Sequence, residues 1–371
     1  MVVGVPKEVK NNENRVGMTP DGVHDLVKTG HKIIIETGAG IGSGISDQDY
    51  TRAGAEIYTD KKALFDEADV IVKVKEPVES EYDYFREGHI LFTYLHLAAD
   101  KQQAAFLLEK KVTAIGYETV QTEDGDLPLL TPMSEVAGRM SIQIGAALLQ
   151  KNHGGKGIVM GGVPGVAPAE VVILGAGVVG MNAAKIASWM GARVTLLDIS
   201  RRRLSYIDDI FSGKITTLMS TTYNIADAVK KADLLIGAVL IPGAKAPCLV
   251  TEEMVKTMAT GSVIVDVAID QGGSIETVDR VTTHENPCYE KHGVIHYSVA
   301  NMPGAVPKTS TYALTGMTIQ YLKKLLSTDI KTLIAGDHDL RAGLNAYKGY
   351  ITNHGVAEAL GYEYTDPLTL L

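Results

Sequence analysis

The stretch from Val171 to Asp198, VVILGAGVVGMNAAKIASWMGARVTLLD, constrains the fold more than any other part of the chain. An apolar run is followed by three glycines spaced G-x-G-x-x-G, a helix-forming segment and a second apolar run that ends in an acid. This order predicts a strand, a tight turn, a helix and a second strand. In such a unit Gly175 permits the turn, Gly177 lets the backbone approach a pyrophosphate, and Gly180 lets the helix pack against the strand.

The same stretch predicts a dinucleotide-binding unit of the Rossmann type. The pyrophosphate is expected at the positive end of the helix, and Asp198 is placed to accept hydrogen bonds from both ribose hydroxyls of an adenosine. A glycine motif alone is a weak signal in a chain with 38 glycines, because ordinary glycine-rich loops also contain it. Here the preceding strand, the following helix and the acid supply the context that the motif requires.

Composition limits the class of protein. At 371 residues the chain is expected to form two domains, and 45% hydrophobic with 21% charged residues is the balance of a globular protein. The apolar runs are too short to span a bilayer, so we expect no membrane association and a cytoplasmic location. A net charge of -9 without a basic stripe argues against nucleic-acid binding. The two distant cysteines, Cys248 and Cys288, predict no metal site.

Strand-like and helical segments alternate over most of the chain. Outside the motif, apolar runs predict strands at Val2–Val5, Lys32–Glu36, Val70–Val74, Ile90–Leu95, Val112–Tyr117, Ile215–Met219, Asp233–Leu240, Ser262–Ala268 and Val294–Val299. Strands that alternate with helices form mostly parallel sheets covered on both faces. We therefore predict an α/β protein of two Rossmann-like, doubly wound parallel-sheet domains with a cleft between them.

The order of the segments also predicts the domain boundaries. From Pro307 onward the predicted elements are all helical, and a terminal segment too short for its own core is expected to pack on the first domain. The result is a discontinuous substrate domain of residues 1–130 plus 306–371 and a dinucleotide-binding domain of residues 131–305. The glycine-rich stretch HGGKGIVMGGVPGVAPAE before the motif fits either a mobile linker or a tight hairpin.

Four polar residues follow predicted strands, at the edge of an open parallel sheet where ligands bind. Lys75 and His96 follow two strands of the first domain, Asp270 follows a strand of the second, and Arg15 lies in the loop after the first strand. Each alone is better explained as a solvated charge, a rim histidine, a turn-forming aspartate or a loop ion pair. Together they provide an ammonium, a titratable base, a carboxylate and an anion clamp.

Such a set suits hydride transfer at a carbon atom that carries nitrogen. Arginine can hold a carboxylate bidentately, and lysine can polarise a carbonyl oxygen as a point charge. Histidine titrates near neutral pH and can move the protons that the amine, carbinolamine and carbonyl stages exchange with water. An aspartate can stabilise a transient iminium cation, while the cofactor carries the hydride.

Four stretches of the chain are long and specific. They are GVPKEVKNNENRVGMTP at 4–20, GGVPGVAPAEVVILGAGVVG at 161–180, AIDQGG at 268–273 and VANMPGAVPKTSTYAL at 299–314. These stretches resemble the L-alanine dehydrogenase family, and the likeness runs over essentially the whole chain. Part of it is shared with the NAD-binding subunit of proton-translocating nicotinamide nucleotide transhydrogenase, which partners a membrane subunit.

The resemblance implies a reaction and roles for the four residues. Arg15 and Lys75 would bind the carboxylate and the carbonyl oxygen of pyruvate, His96 would be the acid/base, and Asp270 would be the second catalytic residue. The implied reaction is the reversible, NAD-dependent oxidative deamination of L-alanine to pyruvate and ammonium by a homohexamer. The alternatives are a dinucleotide-binding transhydrogenase subunit and a non-catalytic NAD-binding sensor, neither of which needs the whole set.

The resemblance also implies cofactor contacts beyond the three glycines. They are Ser134, Val178, Val179, Asp198, Arg203, Ser220, Val239, Leu240, Val267, Ala268, Ile269, Asp270, Ser298, Val299, Ala300 and Asn301. The carboxylate of Asp198 favours NAD over NADP, because it would face the dianionic 2'-phosphate of NADP at short range. The arginines at 201–203 would offset this repulsion only if one of them folded back over the ribose.

Overall fold

The computed structural model describes residues 1–239, 247–269 and 272–371. This part of the chain contains fifteen β-strands, β1 to β15 in chain order: Val2–Val5, Lys32–Glu36, Glu56–Tyr58, Val70–Val72, Ile90–Thr93, Thr113–Gly116, Glu170–Leu174, Arg193–Asp198, Thr216–Met219, Leu234–Gly237, Val263–Asp266, Cys288–Lys291, Val294–Tyr297, Leu344–Tyr347 and Tyr350–Ile351. It also contains thirteen α-helices, α1 to α13: Pro20–Lys28, Asp47–Ala53, Lys61–Glu67, Lys101–Glu109, Thr131–Leu148, Val178–Trp189, Arg201–Phe211, Thr222–Lys231, Glu252–Lys256, Pro307–Ser327, Ile330–Gly336, His338–Ala342 and His354–Leu360. These elements form two compact units, one of Met1–Met133 with Val306–Leu371 and one of Ser134–Ala305.

The first unit is built on an eight-stranded sheet with the order β15-β14-β6-β5-β4-β1-β2-β3. Strands β1 to β6 run parallel, and every residue of β4 and β5 is buried, as a sheet covered by helices requires. The order of the strands reverses between β1 and β4. At such a reversal a crevice for ligands opens beyond the carboxyl ends of the strands.

The second unit is built on a seven-stranded sheet with the order β12-β13-β11-β10-β7-β8-β9. Its strands are parallel except β12, which pairs antiparallel with β13 at the edge. The six parallel strands have the doubly wound Rossmann order, with the reversal between β7 and β10. The prediction of two Rossmann-like α/β domains is therefore confirmed, and the glycine motif lies between β7 and α6.

The prediction that the chain is helical from Pro307 onward is wrong. After α12 the chain forms the hairpin β14–β15, and β14 pairs antiparallel with β6, so the hairpin extends the first sheet. These strands are only four and two residues long. No apolar run marks them in the sequence, because their place is determined by the free edge of β6 rather than by their own composition.

The glycine-rich stretch before the motif forms a hairpin. Val163 and Val166 are joined by an antiparallel bridge, and the N–H of Val166 donates to the carbonyl oxygen of Val163 at 2.8 Å. Of the two alternatives for this stretch, the tight hairpin is the one observed. Within the described residues, no helix has both the length and the apolar character needed to cross a membrane.

Candidate functional site

The predicted substrate-binding residues lie at the carboxyl ends of neighbouring strands in the first sheet. Arg15 is in the loop after β1, Lys75 follows β4 and His96 follows β5. Because β1, β4 and β5 are adjacent and parallel, their following loops share one edge of the sheet, at the point where the strand order reverses. This edge is where the topology places a ligand site.

Arg15 is held by a buried carboxylate. Its guanidinium is 2% exposed, and it donates from Nε and Nη2 to the two oxygens of Glu13 at 2.7 and 2.6 Å. Burial raises the pKa of the Glu13 carboxyl, but the hydrogen bonds and charge of Arg15 outweigh burial and lower that pKa below its ordinary value. Nη1 lies 3.2 Å from Sδ of Met133.

The Arg15–Glu13 pair changes how a substrate could be held. The sequence predicted a bidentate clamp, and one edge of the guanidinium fork, Nε with Nη2, already serves Glu13. A guanidinium carries five N–H groups, and Nη1, which Glu13 does not engage, is directed at Sδ of Met133. Glu13 therefore fixes the orientation of the arginine.

The backbone of Lys75 is fixed on both sides. Oε1 of Glu8 accepts from the N–H of Val74 at 2.6 Å and from that of Lys75 at 3.3 Å, and Thr93 Oγ1 donates to the carbonyl oxygen of Lys75 at 3.0 Å. The side chain of Lys75 is half-buried. A lysine held in this way presents its ammonium from a rigid strand end, which is how a point charge is best positioned.

Glu8 is itself fixed by a buried lysine. Lys73 Nζ lies 3.1 Å from Glu8 Oε2 and 3.2 Å from Glu81 Oε1, and all three side chains are almost completely buried. Burial lowers the pKa of Lys73, but the two carboxylates outweigh burial and raise it, so the ammonium stays charged. This buried network of Glu8, Lys73 and Glu81 holds the strand ends that carry the site.

His96 is exposed and has an uncommon backbone conformation. Its φ and ψ of 48° and 34° lie in the left-handed region, which residues other than glycine rarely adopt. Glu118, which follows β6, accepts from the N–H of His96 at 2.6 Å and from that of Leu95 at 3.1 Å. The imidazole Nδ1 lies 3.2 Å from Oε2 of Glu76, and the ring centroid is 5.9 Å from that of Tyr94.

The glycine motif has the geometry that a dinucleotide needs. Gly175 has φ +103°, and a β-carbon there would lie 2.7 Å from the carbonyl oxygen of Ala238. A β-carbon on Gly180 would lie 1.8 Å from the carbonyl oxygen of Gly175. The nearest atom to a β-carbon on Gly177 is 3.9 Å away, so the backbone there is open on the side that a pyrophosphate would approach.

The glycine turn, the positive end of α6 and the carboxylate of Asp198 together form what we call the dinucleotide cradle. Helix α6 begins at Val178, so its first N–H groups face the turn. Asp198 ends β8 and accepts from the N–H groups of Ala176 at 2.6 Å and Ser200 at 2.7 Å. Each carboxylate oxygen has further acceptor capacity for a ribose hydroxyl. The nearest atom to a β-carbon built on Gly177 is Nη1 of Arg203, at 3.9 Å. The guanidinium of Arg203 therefore faces the glycine turn. These residues fit a dinucleotide.

The other predicted cofactor contacts lie in the second unit. They are found in the first turn of α6, on α5, and after strands β9, β10, β11 and β13: Val178, Val179, Ser134, Ser220, Val239, Val267, Ala268, Ile269, Ser298, Val299, Ala300 and Asn301. All of them except Ser134, Val178 and Val179 lie at the carboxyl edge of the second sheet. Leu240 and Asp270 lie outside the described residues.

Sequence reasoning missed the carboxylates that position the site. Glu8 and Glu13 stand in the same loop as Arg15, and Glu76 is next to Lys75, so their proximity was a usable signal. Glu118 is not close in the sequence to any of the predicted site residues, so nothing in the sequence indicated its role. Asp266 was also missed: it is fully buried and accepts from the N–H groups of Ala268 at 2.9 Å and Ser274 at 3.1 Å.

Comparison with known proteins decides the family. Residues 4–137 match the family described as "Alanine dehydrogenase/PNT, N-terminal domain", and residues 141–354 match "Alanine dehydrogenase/PNT, C-terminal domain". The chain belongs to the alanine dehydrogenase/PNT family. The family predicted from the sequence is confirmed, and membership implies a dinucleotide cofactor and small-molecule substrates.

The chain is similar to proteins named alanine dehydrogenase and to a protein named transhydrogenase. It is 63% identical over 365 residues to "Alanine dehydrogenase" of Methanococcus maripaludis, covering 98% of each chain. A solved "L-alanine dehydrogenase" superposes with a TM-score of 0.94 at 50% identity, over 97% of this chain and 99% of that one. A solved transhydrogenase from Sinorhizobium meliloti superposes with a TM-score of 0.80 at 26% identity, over 95% and 99%.

Proposed function

We propose that this chain is an L-alanine dehydrogenase. The reaction converts L-alanine, NAD⁺ and water into pyruvate, ammonium, NADH and a proton, and it is reversible. The observation that carries the proposal is the placement of Arg15, Lys75 and His96 at the carboxyl ends of adjacent strands. That placement occurs in a chain 63% identical, over almost its whole length, to a relative named alanine dehydrogenase.

In this proposal the first unit holds the substrate. Arg15, oriented by Glu13, binds the substrate carboxylate, and Lys75 polarises the carbonyl oxygen of pyruvate. His96 moves the proton that the substrate exchanges with water, and Asp270 is the second catalytic residue. The substrate domain is proposed as residues 1–130 plus 306–371, and the NAD-binding domain as residues 131–305.

NAD is the proposed cofactor, and when bound it supplies the acceptor of the hydride. The residues that would hold it are the three motif glycines, Asp198, Arg203 and the contacts that lie beyond the strands of the second sheet. Asp198 discriminates against NADP because a carboxylate repels the 2'-phosphate. The orientation of Arg203 toward Gly177 supports a role at the pyrophosphate rather than at the ribose.

The second candidate function is a dinucleotide-binding subunit of transhydrogenase, supported by the similarity to the Sinorhizobium meliloti structure. Such a subunit binds NAD without turning over an amino acid. We favour alanine dehydrogenase because a transhydrogenase subunit has no need for the buried, carboxylate-oriented Arg15 or for Lys75 with its fixed backbone.

We also propose that the protein is a homohexamer and is located in the cytoplasm. Light scattering tests the oligomeric state.

The experiment is an initial-rate assay of NADH formation from L-alanine, with NAD and with NADP. We expect turnover with NAD that requires L-alanine. His96→Ala should lower kcat by roughly a hundred- to ten-thousandfold, the range that positioned acid/base groups contribute. Asp270→Asn should lower turnover while NADH binding, measured by fluorescence titration, stays largely intact. Tight NADH binding without turnover of L-alanine would instead support the transhydrogenase-type subunit.

A further inference from the structure

The His96 ring faces one neighbouring carboxylate. Nδ1 of the imidazole lies 3.2 Å from Oε2 of Glu76. The His96 side chain is 48% exposed, whereas that of Glu76 is only 14% exposed. An exposed ring is free to rotate unless a group fixes it, and here the fixed partner is the carboxylate that directly follows Lys75.

Glu76 is an ionised acceptor. Burial raises the pKa of its carboxyl, but the hydrogen bond from His96 and the charge of Lys75 outweigh burial and hold that pKa well below its ordinary value. A salt bridge from Lys10, in the loop after β1, engages the other oxygen of the carboxylate. An ionised carboxylate can only accept hydrogen bonds, so the atom facing it must be a donor.

The backbone of His96 is fixed separately. Glu118 accepts from the N–H groups of Leu95 and His96, and these bonds support the left-handed turn at His96. Two carboxylates from different loops therefore act on one residue. Glu118 holds the backbone, and Glu76 holds the ring.

We propose that Glu76 is the positioning residue of His96, keeping the proton of the neutral imidazole on Nδ1 so that Nε2 is the atom that exchanges a proton with the substrate. The proposal rests on the proposed alanine dehydrogenase function. The arrangement is the one by which a carboxylate fixes the tautomer and orientation of a histidine in other sites. Glu76 touches neither substrate nor cofactor in this role, and Lys10 holds Glu76 in place.

The charges around the ring predict the pH dependence. Glu76 and Glu118 contribute negative charge from the ends of β4 and β6, Lys75 and Lys10 contribute positive charge, and the Tyr94 ring packs beside the imidazole. When the charge of Glu76 is removed, the lysines remain and the imidazolium is less favoured. The acidic limb of the kcat/KM profile for alanine oxidation should then move to lower pH.

The test compares Glu76→Gln with the wild type and with Glu79→Gln, which neutralises an exposed carboxylate three residues further along. We expect Glu76→Gln to lower kcat by about ten- to hundredfold, as removal of an orienting carboxylate does, and to shift the acidic limb. NADH affinity should be unchanged, and Glu79→Gln should match the wild type in every measurement. Glu76→Asp keeps the charge and should recover the wild-type pH profile with part of the rate.

A wild-type rate and pH profile in folded Glu76→Gln would overturn the proposal. Should that variant fail to fold, neutron diffraction from the wild-type protein at a pH where the imidazole is neutral decides the question. Deuterium on Nδ1 is expected, and deuterium on Nε2 alone would overturn the proposal. The proposed function fails in a different way, because the wild type would then not oxidise L-alanine at all.

Discussion

Gly180→Ala perturbs the tightest contact in the dinucleotide cradle. The added β-carbon would lie 1.8 Å from the carbonyl oxygen of Gly175, whereas β-carbons essentially never come closer than 3.0 Å to another atom. The two groups must separate by about 1.2 Å, the difference between these distances. Overpacking costs about 1–3 kcal/mol where side chains can move, and here the obstacle is backbone. We expect a loss of about 3 kcal/mol or more.

Calorimetry and NADH titration measure the two consequences. A unit of this size loses about 2–4 °C of Tm per kcal/mol, so the transition of the second unit should fall by about 6–12 °C. Because the substitution opens the turn between β7 and α6, NADH affinity should fall as well. A variant with wild-type Tm and wild-type affinity would refute the reasoning from Gly180.

Two matched substitutions separate folding from binding. Gly177→Ala meets no atom closer than 3.9 Å, so stability should change by less than about 0.5 kcal/mol. Its methyl group enters the space of the pyrophosphate, and NADH should bind at least about tenfold more weakly. Gly316→Ala, in the interior of α10 with nothing within 4 Å, should leave binding unchanged and stabilise the first unit by up to about 1 kcal/mol.

Three further predictions concern charged residues. NAD should exceed NADP by at least about tenfold in kcat/KM, and Asp198→Asn should narrow that ratio by removing the repulsive charge; equal wild-type values contradict this. Arg15→Lys should raise the KM for pyruvate by about ten- to hundredfold with a smaller change in kcat, because an ammonium cannot form the bidentate contact. Glu13→Gln should destabilise by about 3 kcal/mol at pH 7, since it neutralises a buried carboxylate that is paired with a buried guanidinium. The pKa of Glu13 is lowered in the folded chain, so its stabilisation is present above the ordinary value of 4.5 and is lost as pH falls; urea unfolding should show the wild-type advantage shrinking toward pH 3.

Much of the fold could be predicted because the parallel strands are marked by their own residues. β1 and β2 were predicted to the residue, since the buried residues of each strand form a short apolar run. The hairpin β14–β15 could not be, because its strands are short and one contains Asn345, whose burial depends on contacts with distant Thr119. Helix α12, which precedes this hairpin, ends at Ala342.

The candidate site was likewise only partly predictable from the sequence. Arg15, Lys75 and His96 follow strands, so their position at one edge was predictable from the topology rule. Glu118 lies 22 residues from His96 in the chain and acts on backbone N–H groups, so neither spacing nor composition points to it. The left-handed backbone of His96 is likewise invisible in the sequence, because it depends on these long-range hydrogen bonds.

The most direct test of the central claim is the stoichiometry of the reaction. The purified chain is incubated with L-alanine and NAD, and NADH, pyruvate and ammonium are measured in the same sample. We expect the three products in equal molar amounts, with none formed when L-alanine is omitted or when His96→Ala replaces the wild type. NAD binding without formation of pyruvate and ammonium, or NADH that appears independently of L-alanine, would contradict the account.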